Sequence, residues 1–145
     1  MDWNEVTNRA EIKHLLETFG FFHDSCLKEL YMWTESYVND DLSMNVPPHL
    51  DTNVRILFQR QAEDPSAVEL LFEGVTQCHI LPSLKDHDSV IYGATLISQN
   101  NQFYWADASD WETGDYSASW ISAECLKWRN ASDWMGKENR YGAME

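Results

Sequence analysis

An α+β fold is predicted: one N-terminal helix packed on a mainly antiparallel, curved or barrel-like sheet of five to seven strands. Three observations predict it. One early segment has helical periodicity, and the later apolar runs are short and mostly alternate. The intervals between those runs are too short for crossover helices, so neighbouring strands pair as hairpins.

The helix is expected over residues 7–19. Thr7 or Asn8 can cap it, Glu11 stands three residues after Asn8, and Gly20 can end it. Ile12, Leu15, Leu16 and Phe19 recur at spacings of three and four and make one apolar stripe. Phe21 to Asp24 is a short connection.

From 26 to 38 the pattern alternates. Leu27, Glu29, Tyr31, Trp33, Glu35 and Tyr37 fall on one face, and Cys26, Lys28, Leu30, Met32, Thr34 and Val38 on the other. Aromatic and β-branched content favours a strand there over a helix. Residues 39–52 carry Asn39-Asp40-Asp41 and Pro47-Pro48 and read as a loop. A strand over 53–61 places Val54, Ile56 and Phe58 inward. One over 67–81 places Val68, Leu70 and Phe72 inward and Glu69, Leu71 and Glu73 opposite, with Gly74 marking a bulge. Further strands are expected over 89–98, 102–107 and 119–129. Asn100-Asn101 is a tight-hairpin signal between the first two, because Asn tolerates positive φ. The tail from about residue 130 is polar and expected to be loose, with Trp134 and Met135 able to dock.

The length of 145 residues fits one domain, 1–145. The chain has 24 acidic and 10 basic residues, a net charge of −14. A nucleic-acid partner is excluded, because phosphates must be neutralised by Lys and Arg. Anionic lipid surfaces are disfavoured for the same reason, and no run approaches the roughly 20 apolar residues of a membrane span. Met1-Asp2-Trp3-Asn4-Glu5 lacks the basic flank and apolar run of a signal peptide. Cys26, Cys78 and Cys125 show no CxxC spacing and are expected to be reduced and mostly buried, and the expected location is cytoplasmic.

The placement of the charge is more informative than its sum. Between Lys28 and Arg55 lie Glu29, Glu35, Asp40, Asp41 and Asp51, with no base. Between Lys85 and Lys127 lie Asp86, Asp88, Asp107, Asp110, Glu112, Asp115 and Glu124, again with no base. Concentrated like charge opposes compaction, so it either serves a basic partner or cation or is a solvated face. The richest stretch runs from Trp105 to Tyr116. Asp107, Asp110, Glu112 and Asp115 could steer a partner, while Trp105, Trp111 and Tyr116 could anchor it. The same stretch also reads as a plain hairpin extension. Neither Asp107 nor Asp110 as first ligand satisfies the calcium-loop order, so no metal is assigned. His23-Asp24 could form a general-base pair in a pocket near Trp105, or could simply be a turn. The remaining histidines are scattered, no phosphate-binding or nucleophile motif is present, and neither a catalytic residue nor a cofactor is assigned.

Three stretches carry a resemblance: Phe22-His23-Asp24-Ser25-Cys26-Leu27-Lys28-Glu29, Glu69-Leu70-Leu71-Phe72-Glu73-Gly74-Val75, and Gly93-Ala94-Thr95-Leu96 running to Phe103-Tyr104-Trp105-Ala106-Asp107. Over residues 20–129 the chain resembles a group of small bacterial proteins with no assigned activity. In style it is similar to immunity proteins of polymorphic toxin systems, which are compact, acidic, single-domain and cytoplasmic. The resemblance implies a binding protein that occludes a basic protein partner, and it carries over no catalytic residue. Two other classes stay open: a small enzyme or ligand-binding domain with a pocket near His23, Asp24 and Trp105, and a self-associating module such as a homodimer.

Overall fold

The computed structural model describes residues 2–61 and 63–142. Strand β1 (Asn4–Val6) leads into helix α1 (Arg9–Thr18). Asn8 is the N-cap: its side chain accepts from Glu11 N at 2.9 Å, and the Glu11 carboxylate reaches back to Thr7 and Asn8. Ile12, Leu15 and Phe19 are buried, with Leu16 packed beside them, so the expected stripe faces the core.

The strands that follow are β2 (Ser25–Thr34), β3 (Tyr37–Val38), β4 (Met44–Asn45), β5 (Thr52–Arg60), β6 (Ala67–His79), β7 (Val90–Ile91), β8 (Thr95–Gln99), β9 (Gln102–Ala106) and β10 (Trp120–Asn130). Seven of them follow the order β7-β2-β5-β6-β10-β9-β8, every pair antiparallel, and β1 pairs with the second half of β10. The α+β reading fits coarsely, but the sheet dominates and the helix is minor.

The connectivity forces the sheet to curl. Laid flat, seven strands would hold β7 and β8 about 29 Å apart. Only Tyr92, Gly93 and Ala94 join those two strands, a step of at most roughly 14 Å. The sheet therefore bends into a half-barrel whose two edges approach each other. Asp24 N to Ile91 O at 2.9 Å continues the β2–β7 ladder, and Ala94 N to Phe21 O at 3.0 Å ties the approach to β8 onto the turn that precedes β2. The inner face packs against α1, with Phe22, Phe58 and Trp105 meeting at centroid distances of 5.0 to 5.7 Å.

Several expectations are corrected. The 89–98 strand is two strands, β7 and β8, on opposite edges of the sheet. The alternation of 26–38 breaks twice. Lys28 is an extra residue between Leu27 and Glu29, so Leu27 rejoins the inner face with Leu30 while Glu29, Tyr31 and Trp33 face outward. The strand then ends at Thr34; its expected last residues, Tyr37 and Val38, form β3, which pairs with β4 inside the expected 39–52 loop. Gly74 does take φ +65, and the register against β10 slips by one residue at Thr76. Glu69, expected on an open face, is fully buried. As far as Gly142 the tail is docked rather than loose. Trp134 and Tyr141 pack over Leu57 and Ala67, and the Glu29 carboxylate accepts from the amides of Arg140 at 2.7 Å and Tyr141 at 3.2 Å. The thiols are not buried either: Cys78 and Cys125 are exposed and Cys26 is half-buried. Among the described residues, no helix is long and apolar enough to cross a membrane.

Candidate functional site

The acidic stretch singled out in the sequence leaves β9 at Ala106 and returns at Trp120. It lies against the outer face of the half-barrel, over a small apolar cluster of Ala106, Trp111, Ala118 and Trp120. Polar contacts hold its shape. Thr95 Oγ1 donates to Ala108 O at 2.7 Å and accepts from Trp111 N at 3.1 Å. The Trp111 indole donates to Asp115 O at 2.8 Å. Asp107 accepts from Ser119 N at 2.9 Å, pinning the two ends together.

The expected site residues therefore divide. Trp105 is 0 % exposed in the main core, and Trp111 is 4 % exposed, so neither offers area to a partner. Their aromatic character is explained by packing: Trp111 lies 5.4 Å from Trp120 and 6.0 Å from Tyr104, centroid to centroid. Asp107 is half-buried and structural, and burial pushes its carboxyl above the usual value, with the Ser119 amide opposing. Asp110, Glu112 and Asp115 face solvent, and Tyr116 is 55 % exposed. Hydrogen bonds from Ser117 hold the Asp115 carboxyl below the usual range, so it is a committed anion. The loop thus presents three carboxylates and one tyrosine on a packed aromatic base.

Beside it runs a groove that the sequence reading did not anticipate. It is lined by Leu16 and Phe21 on one side, by Thr95, Leu96 and Ile97, and by Asp110, Trp111 and Glu112 on the other. Leu96 faces the inner core and Ile97 the outer cluster. A groove lined from both faces of one strand runs along that strand's edge, and β8 has a partner, β9, on one side only. Alternation alone could not reveal this, because which strand is terminal depends on long-range pairing.

A second apolar and acidic feature is the β3–β4 hairpin. Among the described residues, half of the exposed large apolar side chains lie between Tyr31 and Leu50, with Leu42 at 84 % the most exposed. Glu35, Asp40, Asp41 and Asp51 are interspersed with them along the same segment. The hairpin's base is fixed by Glu35 N to Asp51 O at 3.0 Å and by His49 Nε2 against Glu35 Oε2 at 3.0 Å.

His23 and Asp24 do touch, at 3.4 Å, but both are substantially exposed. His23 Nδ1 lies 2.8 Å from Tyr92 O, where it donates. This contact ties the turn before β2 to Tyr92, and neither His23 nor Asp24 lines the cleft next to it. That cleft, of about 420 Å³, is walled by Leu81, Ile91, Tyr92, Trp105, Asp107 and Ser119, among others. The Trp105 indole N–H is buried without a hydrogen-bond partner. Among the described residues, no group of three His, Cys, Asp or Glu is arranged to hold a metal.

Fold and surface together define a class: a curled antiparallel half-barrel that carries an acidic, aromatic-backed loop beside a free sheet edge. No family model, curated protein or solved structure matches this chain.

Proposed function

We propose that the chain is a small acidic binding protein that occludes a basic protein partner. One observation carries the reading. Among the described residues, none of the twelve acids in the two base-free windows forms an ion pair with a Lys or Arg side chain. The acids that do pair with Lys or Arg lie outside those windows: Glu17, Glu63, Glu69, Glu73 and Glu138. Leaving so much like charge uncompensated opposes folding, and an incoming basic surface relieves it. Exposed apolar side chains lie close to these acids at Tyr116 and along the hairpin, so steering and contact area coincide.

Affinity capture from the source cell, using the intact protein as bait, tests the reading. A basic protein retained in stoichiometric amount and released by rising salt is expected. Retention should fall when Asp110, Glu112 and Asp115 become Asn, Gln and Asn. Retained polypeptides that are not basic, or retention indifferent to salt and to that variant, would sink it.

A second reading, a small-ligand domain, is favoured by the cleft with the unpartnered Trp105 indole and the half-buried Asp107. A ligand seated there would shift the Trp105 indole resonance. A mixed panel of amines and amino acids that leaves that resonance in place removes this reading.

A further inference from the structure

We propose that the free edge of β8 takes an extended basic segment of the partner as an added strand; this rests on the binding reading above and names the site and form of the contact. The hairpin joining β8 to β9 turns on Asn100 and Asn101, at φ +55 and +61, and pairs Gln99 with Gln102. In such a two-residue hairpin the flanking pair exchanges both main-chain bonds, and exchange recurs at every second residue. Gln99, Ile97 and Thr95 thus point their N–H and C=O groups at β9. Leu96 and Ser98 point theirs outward.

The protein itself shows that this outer row can be paired. Ala94 belongs to the same outward parity, and its N–H is taken by Phe21 O at 3.0 Å. That carbonyl is delivered by a tight left-handed turn in which Gly20, Phe21 and Phe22 all have positive φ. The chain then departs and leaves the next two outward positions open. No other backbone or side-chain group bonds the main chain of Leu96 or Ser98 from the outer side among the described residues.

The walls of the groove specify what would add. A strand laid on β8 presents its side chains alternately to the two faces. Toward the inner face it meets Leu16, with the exposed Phe21 at one end of the groove. Toward the outer face it meets Asp110 and Glu112. An occupant alternating apolar with basic residues satisfies both. A second copy of this chain is disfavoured, because edge-to-edge pairing would bring two sets of the loop acids together.

The test uses the intact protein and a short blocked peptide alternating lysine with valine, with a glutamate–valine peptide as control. The lysine peptide should protect the Leu96 and Ser98 amides from hydrogen exchange. Asp110→Asn with Glu112→Gln should weaken its binding about tenfold at low salt. Ser98→Pro should abolish binding and leave the fold intact, because proline is tolerated where a strand N–H points outward. Equal binding of the glutamate peptide, protection at other amides only, or unchanged binding to folded Ser98→Pro overturns the proposal. Protection that grows with protein concentration alone assigns the edge to a second copy and also overturns it. Should Ser98→Pro fail to fold, exchange in the natural protein still decides. A captured basic protein held equally by the natural chain and by Ser98→Pro removes the edge while leaving the binding reading; salt-insensitive capture removes the binding reading itself.

Discussion

The Tyr141 hydroxyl donates to Glu69 Oε2 across 2.7 Å, joining the tail to a carboxylate that is 0 % exposed. The same carboxylate takes Arg55 Nε and Arg129 Nε, each at 2.7 Å, and the Arg55 guanidinium lies 4.8 Å above the Tyr141 ring. Breaking a buried ion group by removing one partner is costly, since it strands the rest. Glu69→Gln should therefore destabilise the protein by about 3–5 kcal/mol in denaturant titration. Tyr141→Phe should cost about 1–2 kcal/mol. Burial, reinforced by Glu69, pushes the Tyr141 phenol above its ordinary value of 10.0. A raised folded-state value means that stability is full below pH 10 and falls above it, as the unfolded chain ionises first. Tyr141→Phe should lose less stability than the natural protein over that alkaline range. An identical alkaline loss in both would contradict the assignment.

Gly20 carries two constraints at once. It sits at φ +56, and a Cβ there would stand 2.6 Å from Arg60 Nη1. Arg60 is itself committed, donating to Thr18 O at the helix end and to Pro65 O while covering the Phe19 ring. Gly20→Ala should cost about 1–3 kcal/mol. Thermal unfolding measures it, and a midpoint equal to the natural one would show that the turn is unstrained.

For Asp107, burial raises the carboxyl in the folded state, so ionisation at neutral pH works against folding. Asn retains the oxygen that accepts from Ser119 N. Asp107→Asn should be the more stable form at neutral pH, with the gap closing as pH falls toward and below 3.8, where both side chains are uncharged. Chemical denaturation at two pH values reads the sign. A gap that widens in acid would mean the carboxylate is net stabilising.

Thr95 ties β8 to the acidic loop through a single hydroxyl with two partners. Thr95→Val should cost about 1–2 kcal/mol and speed exchange of the Trp111 amide. Unchanged exchange would show that Trp111 packing alone holds the loop.

Much of the fold was legible because local chemistry decided it. The Asn8–Glu11 cap, the Ile12-Leu15-Phe19 stripe and the Asn100-Asn101 turn each act within a few residues. What failed was long-range. Glu69 reads as a solvent residue until Arg55, Arg129 and Tyr141 arrive from three distant segments. The split at Tyr92 to Ala94 exists because β7 pairs with β2 and β8 with β9, which puts them on opposite edges that the curl then brings together. For the site, the acids were legible as charge, since nothing local neutralises them. The tryptophans were misleading, because a large aromatic signals contact area without saying whether the contact is internal. Trp105 and Trp111 spend theirs inside the protein, and Phe21, which looked like part of a connection, lines the groove.

The two edges of the sheet also bear on valency. A flat sheet has two edges and can be extended from both, which leads to filaments. Here the edge opposite β8 is β7, only two residues long. β7 covers β2 only at Ser25 and Cys26, and the open remainder of β2 carries the Lys28 bulge, which twists it away from a flat partner. The two edges of the sheet are therefore unequal, and repeated addition through both is disfavoured.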